Sequence, residues 1–262
     1  MVKKLVLIDK IYNLTSKERR SNIYPKFLKY LNKKIEGFPN TKIKIIKLRA
    51  YDSRFEIEVS GPEEIFVYNL LKKEIGIIHS FENLSLGDIY KAIMVDVGKV
   101  GFGIFVDCGI VNPKTDVLVT LYTIRNQLCK GKKVSLSEVI KKYNFINNFP
   151  VYVKIEKVDK EKAQIEGIFA KNTINFYEKL ITENIDAVFV SGETKKQVKK
   201  DLIKTDHMRD IVSIESFGFL ENIILLKEGT DAPGIIAEIG NYLKNCKLSA
   251  IRPINIKKLI DN

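Results

Sequence analysis

Phe102-Gly103-Ile104-Phe105-Val106-Asp107 is the stretch of this sequence that says most about its fold. It opens a strand-like run, Phe102–Cys108, and four similar runs surround it. These are Ile89–Val97, Val117–Tyr122, Val151–Val158 and Ala163–Phe169. Only one helical pattern, Ser135–Tyr143, interrupts them. Five short strands broken by glycine turns predict a small β-barrel over residues 85–170.

The residues before this region predict an α/β sandwich with the order strand, helix, strand, strand, helix. The first four runs are Lys4–Ile8, Arg20–Ile35, Lys42–Leu48 and Phe55–Val59. Gly61-Pro62-Glu63-Glu64 then opens the last helix, because proline and acidic residues suit a first helical turn.

The residues after the barrel predict a helix, Asn172–Glu183, and then the order βαββαβ. The six predicted runs are Asp186–Val190, Glu193–Lys204, Ile211–Ser216, Ile223–Leu226, Pro233–Leu243 and Lys247–Ile251. This order is typical of a ferredoxin-like domain, in which two helices cover one face of an antiparallel sheet. The sequence therefore predicts an α+β protein of three small domains, with boundaries at 1–84, 85–170 and 171–262.

Composition narrows the class of protein. The chain has 262 residues, of which 45% are hydrophobic and 29% charged, so it can bury a core. Its apolar runs are shorter than the ~18 residues of a membrane span, and Met1–Asp9 stops being apolar too soon for a signal peptide. We therefore expect a soluble cytoplasmic protein without a membrane partner.

The charge of the chain favours a polyanionic partner. Lys and Arg number 44 against 32 Asp and Glu, which gives a net charge of +12. The surplus is +7 in residues 1–84, +4 in residues 85–170 and +1 in the remainder. This distribution favours nucleic acid as the partner of the first two domains. A thermophilic or AT-rich origin is the alternative explanation for so much Lys, Glu and Ile.

Cysteine and histidine are too few and too scattered for a metal or disulfide site. Cys108, Cys129 and Cys246 form no ligand-spaced pair, and His79 and His207 lie far apart in the sequence. Nor does any motif place a nucleophile beside a base. We expect no cofactor, no metal and no enzymatic activity, although a site assembled across domains would leave no local signature.

The barrel region resembles the S-one-type OB-fold domain, an RNA-binding domain first named for a ribosomal protein. The resemblance rests on Phe102–Asp107, Asp116–Val119 and Val151–Asp159. It implies that Phe102 and Phe105 stack on unpaired bases while nearby lysines neutralise phosphates. We predict that the barrel site comprises Phe102, Phe105, Lys99, Thr120, Lys154, Lys160 and Lys162.

Two positions depart from that family. Thr120 stands where a histidine is frequent, and Ala163, beside Lys160 and Lys162, stands where an arginine is frequent. These departures favour a general electrostatic groove over base-specific contacts. The alternative for Phe102 and Phe105 is packing inside the barrel.

The whole chain also resembles an archaeal family known as domain of unknown function 2110. The residues that carry this resemblance are 98–103, 176–181 and 229–234. It implies the three-part fold and an archaeal, cytoplasmic origin.

Two glycine motifs admit more than one interpretation. Gly98-Lys99-Val100-Gly101 has the GxxG form of KH domains, but its position between two strands favours a hairpin turn. Residues 229–234 resemble the turn by which ACT domains bind amino acids, but helix capping by Thr230 or Asp231 also explains them. A small-molecule sensor using this turn is therefore one alternative function.

Two predicted helices are rich in basic residues. The first domain carries Lys17, Arg19, Arg20, Lys26, Lys29, Lys33 and Lys34, the set we favour for phosphate contact. The other helix carries Lys195, Lys196, Lys199, Lys200 and Lys204, which form either a solvated face or a docking surface for RNA or an acidic protein.

The sequence as a whole predicts a non-enzymatic RNA-binding protein associated with the ribosome or translation. The barrel would bind single-stranded or ribosomal RNA, and the C-terminal domain would dock on a protein complex. Barrel-plus-α/β arrangements occur in the alpha subunit of archaeal initiation factor two and in the RNA polymerase stalk, an analogy of fold alone. Association with transcription, a small-molecule sensor and a protein scaffold are the alternatives.

Overall fold

The computed structural model describes residues 2–14 and 17–261, with side chains for all of these except 17–20. The described chain divides into two compact units. One contains residues 2–78 and 218–220, and the other contains residues 79–217 and 221–261. The predicted α+β class is confirmed, whereas the predicted domain boundaries near 84 and 170 stay a prediction.

The first unit has the predicted order of elements. They are β1 (Val2–Lys10), α1 (Lys17–Lys34), β2 (Lys42–Leu48), β3 (Arg54–Ser60) and α2 (Glu64–Glu74). The sheet is antiparallel with the order β1-β3-β2. At the free edge of β1, Ile8 N–H donates to the Gly76 carbonyl and Leu7 bridges to Ile77. A stub of a fourth strand thus completes a ferredoxin-like outline.

The core of this unit draws on residues that are distant in sequence. Leu7, Phe27 and Phe55 are fully buried, and Phe219 and Leu220 join the same cluster. The Phe219 ring lies 4.9 Å from that of Phe27, edge to face. Its N–H donates to the buried Asp9 carboxylate over 3.1 Å. Gly218–Leu220 therefore belongs to the first unit although its neighbours in the chain belong to the second.

The second unit begins with a closed five-stranded barrel. Its strands are β5 (Ile89–Val95), β6 (Gly103–Val111), β7 (Thr115–Thr120), β8 (Pro150–Asp159) and β9 (Gln164–Phe169). The ladder runs β6-β5-β8-β9-β7, and pairing of β7 with β6 closes it. A two-residue strand, β4 (His79–Ser80), adds to β6 in parallel. This is the OB-fold connectivity, so the predicted barrel is confirmed.

One prediction for the barrel region is wrong. The third strand ends at Thr120, and Leu121 and Tyr122 begin a helix, α3 (Leu121–Leu128). The region therefore has two helices between β7 and β8, the second being α4 (Leu136–Tyr143). The Thr120 hydroxyl accepts the Thr123 N–H and so stabilises the start of α3.

The C-terminal part forms the predicted ferredoxin-like sheet. After α5 (Lys171–Glu183) come β10 (Ala187–Ser191), α6 (Lys195–Lys204), β11 (Ile211–Ser216), β12 (Glu221–Leu226), α7 (Ala232–Ile239) and β13 (Lys247–Ile251). The strand order β11-β12-β10-β13 confirms the prediction. Helix α7 ends before Leu243, earlier than predicted, and α8 (Pro253–Asp261) was not predicted.

Both faces of this sheet are buried. Val188 and Val190 of β10 point to the face covered by α6 and α7. Ala187 and Phe189 point the other way and join the same core as the barrel interior. The Phe189 ring lies 4.8 Å from that of Phe149, next to the start of β8. The barrel and the C-terminal sheet therefore share one hydrophobic core.

Candidate nucleic-acid interface

One row of side chains on the outer wall of the barrel, across β5, β6 and β7, is apolar. Ile104 and Val106 of β6 are buried inside the barrel, so Phe105 between them points outward. Its cross-strand neighbours are Val95 on β5 and Leu118 on β7. All three outward side chains are half-buried. This row of three side chains forms an apolar strip on the outer wall of the barrel.

Phe102 adds an exposed ring to that strip. Its side chain is 57% exposed, and its ring meets that of Phe105 edge to face at 6.1 Å. The next residue, Gly103, lets the Leu118 side chain approach, because a Cβ there would lie 2.7 Å from Leu118 Cδ1. Neither phenylalanine packs in the barrel interior, so both rings lie where a base can reach them.

Lysine-bearing turns border the strip at both ends of β7. Lys99 lies in the hairpin turn between β5 and β6, as predicted, and pairs with Asp96 at 2.7 Å while both remain exposed. Lys160 and Lys162 are exposed in the turn between β8 and β9. Since β7 has six residues, the two turns lie about 20 Å apart. Loops in these positions bind oligonucleotides in OB-folds.

Two predicted site residues have other partners. The Thr120 hydroxyl caps α3 and also shares a hydrogen bond with Thr123 Oγ1 at 3.0 Å. Lys154 pairs with Glu156 at 2.8 Å and lies opposite Ile89. Ile89 is at the far end of β5 from Val95, about 20 Å along the strand. Lys154 is therefore remote from the two phenylalanine rings.

The basic helix of the first unit presents part of its predicted set. Lys26, Lys29 and Lys33 are exposed on α1. Lys34 Nζ bonds the Glu74 carboxylate at 2.8 Å, and this hydrogen bond and charge lower the pKa of Glu74. The side chains of Lys17, Arg19 and Arg20 lie outside the described residues.

Sequence reasoning missed one exposed aromatic residue beside the strip. Tyr122 is 75% exposed in the first turn of α3. The preceding residue, Leu121, donates its N–H to the Phe102 carbonyl over 2.7 Å, so the start of α3 adjoins Phe102. The signal in the sequence was Thr120, a residue favoured at helix starts, followed by a run that also suits a strand.

Two potential nucleophiles of the second unit, Cys129 and Tyr143, are buried. Burial raises the pKa of the Cys129 thiol to about 11 and the pKa of Tyr143 well above its usual value. Across residues 2–14 and 17–261, no group of three or more His, Cys, Asp or Glu side chains is placed to hold a metal ion. No helix in the described chain has the length and apolar character needed to span a membrane.

The start of α7 is occupied by side chains of the protein itself. Asp231 accepts the Gly234 N–H at 2.9 Å, which confirms the predicted cap, and Asp186 accepts the Ala232 N–H at 3.1 Å. Arg252 pairs with both carboxylates. Burial raises the pKa of Asp186. The amides that would receive a ligand carboxylate in an ACT-like turn are thus already bonded.

Comparison with known protein families gives two matches. A family model described as the DUF2110 central domain matches residues 84–180, and one described as the DUF2110 C-terminal domain matches residues 185–251. Together they cover more than half of the chain. No curated protein matches the sequence.

Several solved structures are similar to parts of the chain. An uncharacterised protein from Methanocaldococcus jannaschii has 17% identity over 34% of this chain and 96% of its own, with a TM-score of 0.24. GSP13 from Bacillus subtilis has 20% identity over 35% of this chain and 58% of its own, with a TM-score of 0.23. The intact alpha subunit of aIF2 from Pyrococcus abyssi has 11% identity over 65% of this chain and 98% of its own, with a TM-score of 0.26.

Proposed function

The chain belongs to the DUF2110 family, and from this starting point we propose that it is a non-enzymatic RNA-binding protein. Its central barrel would hold single-stranded RNA on the strip formed by Val95, Phe102, Phe105 and Leu118. Bases would stack on the phenylalanine rings, and the lysines of the two bordering turns would neutralise phosphates.

The observation that carries this proposal is that the Phe102 ring is exposed to solvent and meets the Phe105 ring edge to face. An exposed phenylalanine normally costs free energy because its apolar surface stays in water. Here two rings lie edge to face on the outer wall of an OB-type barrel, between turns that carry Lys99, Lys160 and Lys162. Each base that stacks on such a ring gains ~1–3 kcal/mol, whatever its identity.

We extend the proposal to the cellular setting. The protein would act in the cytoplasm in association with the ribosome or translation, with the exposed lysines of α1 adding phosphate contacts. The C-terminal domain would dock on an acidic protein partner through α6, whose Lys195, Lys196, Lys199, Lys200 and Lys204 are all exposed. Crosslinking in cells, followed by sequencing of the bound RNA, would identify the transcript.

The direct test is fluorescence anisotropy with a labelled single-stranded RNA of mixed sequence, over a range of KCl concentrations. We expect affinity to fall steeply with salt as counterions are released, and Phe102→Ala to weaken binding roughly 5- to 150-fold. Tyr242→Ala is the matched control, because Tyr242 is a 52% exposed aromatic residue in the C-terminal part.

The possible outcomes distinguish the barrel strip from other RNA-binding sites. Loss of affinity in Phe102→Ala alone supports the barrel strip as the binding site. Binding that is equally tight in Phe102→Ala and the unchanged protein would place the RNA elsewhere. A chain that binds no RNA at low salt would overturn the proposed function.

A further inference from the structure

The net positive charge of the barrel region comes from one segment. Residues 85–170 carry 13 basic and 9 acidic side chains, and 6 of the basic but only 1 of the acidic lie in residues 121–149. This segment is α3, the turn after it and α4. The remainder of the barrel region, strands and turns together, has 7 basic and 8 acidic side chains, so it carries no net positive charge.

The exposed face of α3 leads from the aromatic strip to a lysine turn. Tyr122 and Asn126 are exposed and lie four residues apart on α3, so they share one side of the helix, and Lys130 is exposed in the turn that follows the helix. Ile124 and Leu128 on the opposite side are buried in the barrel core. At 1.5 Å per residue, Asn126 lies about 6 Å further along α3 than Tyr122, and the lysine turn begins where the helix ends.

The turn that follows α3 has a fixed shape. Gly131 N–H and Cys129 N–H both donate to the Arg125 carbonyl, and Arg125 Nε donates to the Val134 carbonyl at 2.7 Å. Arg125 thus uses its guanidinium to hold the turn, which leaves the turn lysines for other partners. Lys130 and Lys133 are exposed and Lys132 is half-buried. Lys130 pairs with Asp261 at 3.3 Å, but both groups are about two-thirds exposed, so water and salt screen this pair.

We infer that the ridge formed by Tyr122, Asn126, Lys130, Lys132 and Lys133 is a second part of the RNA-binding surface. A base next to the one on Phe102 stacks on Tyr122, and the following phosphates lie against the turn lysines. The inference rests on the proposed function, because the strand enters from the phenylalanine strip. It adds the turn after α3 to the two lysine-bearing turns that border the strip as a source of phosphate contacts.

The test uses the full chain and the same labelled RNA. Tyr122→Ala is expected to weaken binding roughly 5- to 150-fold, whereas Tyr122→Phe keeps the ring and the affinity. Tyr51→Ala is the control for loss of an exposed tyrosine, since Tyr51 is 63% exposed in the first unit. Circular dichroism confirms that each variant is folded.

A pair of double variants tests the lysines. Lys132→Gln with Lys133→Gln should reduce the slope of log affinity against log salt by about 1.4, since each single-strand phosphate contact contributes about 0.7. Lys199→Gln with Lys200→Gln removes the same charge from α6 and should leave the slope unchanged.

Three results would overturn the inference that the ridge binds RNA. One is an RNA affinity that Tyr122→Ala leaves unchanged while Phe102→Ala weakens it. The others are equal changes of the salt slope in the two double variants, and no RNA binding by the unchanged chain. Only the last of these also removes the proposed function.

Discussion

At the scale of single residues, Gly103 explains how an aromatic strip fits on this barrel. A Cβ at Gly103 would lie 2.5 Å from the Val119 carbonyl oxygen, which is backbone and cannot move away easily. The absent side chain lets Leu118 fold over β6 and lets β6 and β7 stay paired beside Phe102.

Gly103→Ala should therefore destabilise the protein by ~1–3 kcal/mol, the usual cost of overpacking. Gly101→Ala is a matched control, because among the described residues a Cβ there would meet open space. Urea unfolding of both variants measures the difference. Equal midpoints for the two variants would contradict this account of Gly103.

His207 is a residue whose charge should affect stability. Nδ1 lies 2.8 Å from Asp210 Oδ2, and Nε2 lies 2.8 Å from Glu238 Oε2. Both ring nitrogens donate only when the ring is protonated. The bond to Asp210, with that to Glu238, raises the pKa of His207 despite its partial burial.

The folded-state pKa of His207 is above its unfolded value, so the unfolded chain loses the proton first as pH rises. The stabilisation is complete below pH ~6.5 and is lost as pH increases through the folded pKa. We expect the free energy of unfolding to fall across that interval in the unchanged protein and to stay flatter in His207→Gln. Chemical denaturation at a series of pH values measures both profiles, and parallel profiles would refute the role of His207.

At the scale of elements, α3 links the barrel to the candidate RNA surface. Its first turn follows β7 without a loop, and the cap by Thr120 fixes where strand becomes helix. The position of Tyr122 therefore depends on that one hydroxyl as well as on the buried Ile124 and Leu128.

Thr120→Ala should lower the free energy of unfolding by about 1 kcal/mol, a typical value for a lost helix cap. Thr120→Ser retains the capping oxygen and should behave like the unchanged protein. Thermal unfolding of the two variants provides the comparison. If the serine variant were as unstable as the alanine variant, the threonine methyl rather than the cap would be responsible.

The helices and strands were predictable where the spacing of apolar residues fitted only one of the two structures. The strands Lys42–Leu48 and Lys247–Ile251 were predicted with the bounds that the structure has, the first of them from its alternation of apolar and polar residues. The run Leu121-Tyr122-Thr123-Ile124 suits a strand as well as a helix. The local sequence pattern therefore extended the predicted strand through Leu121 and Tyr122. Pro253 marks the first position of α8, a cue that periodicity alone does not register.

The candidate site was predictable in its residue types but not in its geometry. The pair Phe102 and Phe105 follows from the barrel pattern, yet their exposure depends on the neighbouring Gly103 and Leu118. Whether Lys154 lies near them depends on the register between β5 and β8, which pairs it with Ile89. Register is set by long-range packing, and a single sequence does not reveal it.

At the scale of the whole molecule, the barrel and the C-terminal sheet share a core, so they should open together. Phe189→Ala removes the ring that contacts Phe149 and should cost roughly 3–5 kcal/mol. Hydrogen exchange should then show reduced protection in β8 as well as in β10. Val198→Ala is the control variant, because Val198 lies on α6 and belongs to a separate core cluster on the other side of the sheet. Loss of protection confined to β10 would mean that the two sheets unfold independently.

The placement of Phe219 and Leu220 in the first unit has a consequence for biosynthesis. During translation, roughly 140 residues must be added after residue 78 before these two side chains are made. At ordinary elongation rates this delay is roughly 7–30 s. The nascent N-terminal segment should therefore stay sensitive to protease on stalled ribosomes until Leu220 has emerged from the ribosome, and pulse proteolysis of chains arrested at different lengths would show when the core closes.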